Sequence, residues 1–352
     1  MLWYTIRMQR SYFLFLCVAF VLVGMPSVLS AQFSGGTGTE LTMAKTPEHP
    51  RPGDSVSVSV ESYNIDLNRS EVHWFVNDVP LKTGLGIKNV TVPSGRNGET
   101  TTVRVVAIGE DGRTYSSKVI IRPAEVNLLW QAQSYTPPFY KGKALMPYQG
   151  TVLVAAVPSF SRGTSVMSAE SLIYTWKEGD DVIGDSSGKG RSLFVFRGSI
   201  PMRPKTISVT VESPDHTMVA EALVNVVPVA PRLLFYEEHP RYGLLTSKAL
   251  SGRFHLEEDE VRISALPYYF EINSMLDKAI SYDWQANYNP ITTERTPSVA
   301  LRRQSEKAGR TDLFLEAKST DEQKTFQVAE ERLSIEFPEK SGFTSNEATP
   351  VQ

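Results

Sequence analysis

The sequence predicts an all-β chain built from three tandem β-sandwich modules. Tryptophan recurs at nearly even intervals, in His73-Trp74-Phe75, Tyr174-Thr175-Trp176 and Tyr282-Asp283-Trp284, with gaps of 102 and 108 residues. A fixed period of this size marks repeated modules, and about one hundred residues suffice for one two-sheet sandwich. Each tryptophan also sits in the same order of signals: an alternating strand before it, a late strand and hairpin turn after it, then a proline. Long helical periodicity is absent. The best helical candidate is one or two turns around 273–279.

The early strand of the first copy is Val56-Ser57-Val58-Ser59-Val60, preceded by the turn Pro52-Gly53-Asp54. Strict alternation puts the valines on a buried face and the serines in water. The second and third copies are Val152–Pro158 and Val261–Pro267, each ending in Ala-(Val/Leu)-Pro. The late strands are Val103–Ala107, Ile207–Val211 and Leu313–Ala317, each followed by a polar turn of the kind that closes hairpins. The closing strands, around Val119–Ile121, Leu223–Val227 and Leu333–Phe337, end at Pro123, Pro228 and Pro338. Proline lacks an N–H and so ends a ladder.

Two junction segments also match. Leu128-Leu129-Trp130 precedes Lys143-Ala144-Leu145 at the same offset by which Leu233-Leu234-Phe235 precedes Lys248-Ala249-Leu250. Each reads as a first strand, a Pro-rich kink and a return into the module, with Trp130 and Phe235 expected at the domain junctions. Trp74, Trp176 and Trp284 are expected at the module cores. The expected boundaries are a signal peptide or membrane anchor at 1–31, a flexible leader at 32–45, sandwiches at 46–124, 125–229 and 230–338, and a disordered tail at 339–352.

The N-terminus reads as an export signal. Arg7 and Arg10 precede the uncharged run from Tyr12 to Met25, Pro26 breaks it, and Ser27–Ala31 supplies small residues for cleavage after Ser30 or Ala31. Left uncleaved, residues 12–29 would anchor the modules outside the membrane. The only cysteine, Cys17, lies inside that run, so the mature chain has no disulfide and depends on its cores. The formal charge of −3 and the 21% charged residues, of both signs, provide no basic stripe for nucleic acid. The expected location is extracytoplasmic, secreted or at the cell surface.

The modules resemble PKD-type and other immunoglobulin-like domains of bacterial exported proteins. The resemblance rests on Pro47 with Pro52-Gly53-Asp54-Ser55-Val56, on the Tyr-x-Trp pairs Tyr174/Trp176 and Tyr282/Trp284, and on the late hairpins. The turn after the tryptophan departs from the PKD pattern: it is Gly179-Asp180 in the second copy, Asn77-Asp78 in the first and Asn287-Tyr288-Asn289 in the third. The resemblance implies extracellular spacing, adhesion or assembly.

No constellation for catalysis emerges. His49, His73, His216, His239 and His255 have no metal-ligand spacing, and no nucleophile or Rossmann motif is present. Gly184–Gly190 has a passing likeness to a phosphate loop, with the wrong spacing, and reads as a hairpin loop. The acidic run Glu257–Glu260 and the pairs Asp180-Asp181 and Glu110-Asp111 read as solvated turns, an interdomain calcium ion being the one cofactor they would admit. Tyr140, Tyr268, Tyr269 and Phe270 are the candidate binding residues, because alternation cannot place all of the last three inside. The sequence therefore reads as a non-enzymatic scaffold or adhesion protein, its modules in an elongated row and its partners other envelope or surface proteins. The alternatives are a glycan-binding adhesin using exposed aromatics, or an accessory module of a surface appendage or secreted enzyme.

Overall fold

The computed structural model describes residues 41–292 and 296–339. The N-terminal apolar run, Cys17 and the tail beyond Glu339 lie outside these residues. The first sandwich contains β1 (Thr42–Thr46), β2 (Ser55–Glu61), β3 (Glu71–Val76), β4 (Val79–Leu85), β5 (Asn89–Pro93), β6 (Thr101–Ile108) and β7 (Thr114–Ile121). Sheet β1-β2-β5 packs against sheet β4-β3-β6-β7. In β2 the valines are buried and the serines at 55 and 57 exposed, as alternation dictates.

The second sandwich contains β8 (Glu125–Ala132), β9 (Thr151–Ser159), the short hairpin β10 (Ser161–Arg162) and β11 (Ser165–Val166), β12 (Ile173–Glu178), β13 (Asp181–Val182), β14 (Gly188–Lys189), β15 (Leu193–Arg197), β16 (Lys205–Glu212) and β17 (Val219–Val226). Its sheets are β15-β9-β8 and β13-β12-β16-β17, with β14 also on β12. The Gly184–Gly190 segment is a loop: its Ser187 Oγ donates to Ile183 O and accepts from Trp176 N.

The third sandwich contains β18 (Arg232–His239), β19 (Gly243–Leu244), β20 (Gly252–His255), β21 (Glu260–Tyr268), β22 (Ile280–Ala286), β23 (Asn289–Pro290), β24 (Ser298–Arg302), β25 (Gly309–Ser319) and β26 (Val328–Phe337). Its sheets are β19-β18-β21-β24 and β20-β26-β25-β22-β23, with β20 parallel to β26.

Three separate clusters of buried apolar side chains form the cores, one per sandwich, and each holds one of the recurring tryptophans. The indoles play one part three times. Each ring is essentially buried. Each Nε1–H donates to a backbone carbonyl in the crossing loop that follows: Trp74 to Ile87 at 2.9 Å, Trp176 to Arg191 at 2.8 Å and Trp284 to Thr296 at 2.8 Å. The strand after that loop belongs to the opposite sheet, so one side chain fills the core and fixes the crossing.

The turns after the tryptophan strands are also equivalent. Asn77 and Asn287 take positive φ, 50° and 49°, as do Asp78 and Tyr288 behind them. Asparagine tolerates this region, and two such residues make the hairpin turn that matches strand twist. Each asparagine Oδ1 then accepts an N–H from the neighbouring late strand, Thr102 or Asp312, at 2.9 Å.

Four expectations are corrected. The leader does not run to residue 45: Leu41 is buried and β1 pairs with β2, because Leu41 and Met43 face the first core. Residues 273–279 form turns, not a helix, with Asp277 capping the N–H groups of Asn273 and Ala279. Phe235 is no junction residue; it is fully buried and stacks on Trp284 at 5.5 Å. Trp130 packs on its own module's core, under Lys143 Nζ at 3.3 Å from the ring centroid.

Trp176→Ala is expected to cost about 3–5 kcal/mol in chemical unfolding, since it empties a buried aromatic site and orphans the Arg191 carbonyl. A midpoint close to wild type would show that the indole does not hold the second core.

Candidate functional site: module junctions and the aromatic cluster

Three of the four residues singled out as a binding surface, Tyr140, Tyr268 and Tyr269, form an interior cluster between the second and third sandwiches. Tyr268 lies on the outer face of the third module's β18–β21 pair, where Tyr236, Leu266 and Tyr268 form a buried satellite cluster. The covering segment comes from the β8–β9 connection of the second module. Phe139 meets Tyr236 edge-on at 5.7 Å, and Tyr140 meets Tyr268 edge-on at 5.9 Å. Burial, and then the hydrogen bond with Tyr236, push the Tyr268 phenol above the ordinary tyrosine range. The hydrogen bond with Tyr140 likewise raises Tyr269.

Phe270 is corrected from surface candidate to core residue. It is fully buried in the third module. Alternation fails here because Tyr269 has φ 60°, which turns the chain and lets Tyr268 and Phe270 enter different interiors. Tyr269 is partly buried against the satellite cluster, as is Tyr140. The neighbouring Tyr135 donates its N–H to Phe270 O at 2.8 Å and packs on the third core.

A second set of contacts at this junction uses glutamines, which the sequence reading did not select. Gln149, 6% exposed, donates Nε2 to Gln323 O and accepts from Phe326 N, both at 2.8 Å. Gln327, 1% exposed, donates Nε2 to Tyr148 O at 2.8 Å and accepts from Glu271 N at 2.9 Å. Each amide thus uses its donor and acceptor at once, one of the two bonds or both crossing the junction. Buried amides left unpaired are costly, so this reciprocal pairing defines a single docking arrangement. Arg197 adds a bond to Gln323 Oε1 at 2.7 Å, and Lys324 lies 3.5 Å from Glu271 and 3.3 Å from Asp321.

The first and second modules meet through backbone and side-chain contacts. Gly98 bridges Arg162, and Gly163 N donates to Gly98 O at 2.8 Å. Asn97 Nδ2 donates to Ser159 Oγ at 2.7 Å. Gly98 has φ +87°, and a Cβ there would stand 2.3 Å from Gly163 O. Arg162 in turn pairs with Asp215 in the β16–β17 turn. The bond from the Ser213 hydroxyl, then the Arg162 guanidinium, hold the Asp215 carboxyl well below the usual range.

Among the described residues, no group of three or more His, Cys, Asp and Glu is arranged to hold a metal ion. Of the acidic run, Glu260 pairs with Arg302 at 2.7 Å and Asp259 lies 3.8 Å from Arg303. His73, His216 and His255 each face a glutamate at the surface. Among the described residues no helix is long and apolar enough to cross a membrane.

Neither a protein-family model nor a curated protein matches the chain. Solved structures similar to it are tandem arrays. Three N-terminal domains of the bacteriophage RB49 highly immunogenic outer capsid protein align at 13% identity over 86% of this chain and 98% of that one, with a TM-score of 0.27. The central fibronectin-III array of RIM-binding protein aligns at 12% identity over 86% and 99%, with a TM-score of 0.30. A structure of a 1.5-MDa bacterial ice-binding adhesin aligns at 8% identity over 86% and 99%, with a TM-score of 0.21. At such low scores the architecture rests on the chain's own sheets and cores, which are those of immunoglobulin-like sandwiches in tandem.

Gly98→Ala is expected to strain this contact by about 1–3 kcal/mol, through the positive φ and the clash with Gly163. Hydrogen exchange would show faster exchange at Gly163, with the tryptophan strands unchanged. Unaltered exchange there would mean that the bridge does not join the modules.

Proposed function

We propose that the chain is a non-enzymatic modular scaffold, exported and displayed outside the cytoplasm, that presents protein-binding faces from modules held in fixed register. The main support is the glutamine clasp between the second and third modules. Flexible tethering would need no buried amides paired in both directions across a junction. Holding modules in one arrangement matters for a protein whose surfaces must engage partners at set spacings.

The export part of the reading rests on Arg7 and Arg10, the apolar run and the small residues before Gln32. A bacterial source and the PKD-type label belong to the same proposal, supported by the Tyr-x-Trp signature and a cysteine-free mature chain. A glycan-stacking role is less well supported. Of its candidate residues Phe270 is core, Tyr268 is covered, and Tyr140 and Tyr269 are engaged with each other.

Two measurements test the reading. In calorimetry, the second and third modules are expected to unfold in one transition, which Gln149→Ala with Gln327→Ala splits while lowering stability by about 1–3 kcal/mol per lost amide. Independent transitions already present in wild type would remove the fixed arrangement. The chain recovered after expression in a bacterium is expected to begin at Ala31 or Gln32; an intact cytosolic chain would remove export.

A further inference from the structure

The outer face of the β1–β2, β8–β9 and β18–β21 sheets is the same position in three modules, and it is treated in three ways. In the first module it is mostly polar, with Thr42, Ser57, Ser59, Thr91, Asn89 and Glu61 suited to water and only Ala44 and Pro93 apolar. In the third it carries Leu266 and Tyr268, buried under Phe139 and Tyr140. In the second it carries aliphatic residues that no other described residue covers. The register places Leu193, Ala155 and Leu129 in one row across the sheet and Val195, Leu153 and Gln131 in the next, with Val157 and Asn127 flanking them. Leu129 is 63% exposed, Leu193 56%, Val195 55%, Val157 47% and Leu153 40%.

We propose that this aliphatic face is the contact surface for a second copy of the chain, packed sheet on sheet about a two-fold axis. This names a partner for the scaffold described above and rests on that reading. The face has the anatomy of an interface: an aliphatic centre free of charge, rimmed by Arg197, Thr151, Gln131 and Asn127. Its centre has no aromatic platform for a sugar and no charge for an ionic ligand. A flat aliphatic sheet face is complementary to another of its kind, as in sandwich packing, and a two-fold axis supplies that match from one surface. Five half-exposed aliphatic side chains give on the order of 400 Å² per copy, in the range of patches that are functional on single proteins. Two such faces with their rims reach roughly the 1,000 Å² at the lower end of specific contacts, so the dimer is weak and concentration-dependent.

Analytical ultracentrifugation of the mature chain, beginning at Gln32 and free of the apolar run and of Cys17, tests this. The apparent mass is expected to double between low and high micromolar concentration. Leu153→Thr with Val195→Thr is expected to keep it at the monomer value. Threonine retains strand propensity, and the first module already carries hydroxyl side chains at this face, so folding is preserved; circular dichroism checks this. Leu129→Ser with Leu193→Ser, on the two outer strands, provides an independent pair. A wild-type chain that stays monomeric throughout, or a dimer that persists in both variants, overturns the proposal. Because the glutamine clasp is read separately by calorimetry, a failed dimer leaves the scaffold reading standing, and a failed clasp is seen without reference to the dimer.

Discussion

One contact recurs in every module: a buried indole whose N–H reaches a carbonyl of the loop that crosses between sheets. The ring supplies apolar area to a core with no disulfide behind it. The N–H fixes where the chain leaves one sheet for the other. A Phe at that position would fill most of the volume but leave the carbonyl unpaired, and a polar residue would satisfy the carbonyl but empty the core. Tryptophan meets both demands, which explains why the same residue marks each repeat while the surrounding sequence drifts. The offset to the accepting carbonyl varies only from 12 to 15 residues, so the crossing loop keeps its geometry although its sequence changes.

Much of this architecture is legible in the sequence because it is local. Alternation in Val56–Val60 sets which side of β2 is buried, and the asparagines after two of the tryptophan strands take the positive φ their turns require. What is not legible depends on distant residues. Gln149 meets the 323–327 segment at separations above 170 positions, and nothing in the composition around it signals burial. Leu41 and Met43 sit beside a Gly/Ser/Thr stretch that masks a strand. Phe235 reads as a junction residue from its repeat with Trp130, yet its stacking on Trp284 comes from a strand far along the chain. Periodicity gives the two faces of a strand; it does not say whether a face meets solvent or another module.

That limit explains the aromatic residues. Tyr268, Tyr269 and Phe270 look overfull for one strand, and the inference that one must face outward assumes a single interior. The third module has two. Phe270 enters its own core, Tyr268 enters the space closed by Phe139 and Tyr140, and the positive φ at Tyr269 makes the division possible. The second module's long β8–β9 connection serves its neighbour as well as itself: Tyr135 and Tyr140 cap the third module, while Ala132 and Ala144 close their own. The junction is therefore built from a loop that a single-module view would treat as an excursion.

A repeat with a tryptophan-centred core leaves the outer sheet face free to vary, because that face contributes nothing to the crossing. Three solutions to the same position coexist in one chain: hydroxyls in the first module, bare aliphatics in the second, aromatics under a neighbouring loop in the third. The hydroxyl face costs nothing in water and commits the module to no partner. The covered face spends its apolar area on fixing the next module. The aliphatic face has neither property, and its exposure stands against the tendency of apolar surface to leave water. The variation thus follows a physical order along the chain, from solvated to unpaired to internally paired, with the module cores unchanged beneath it. In that order the second module is the point at which the array is open to another molecule.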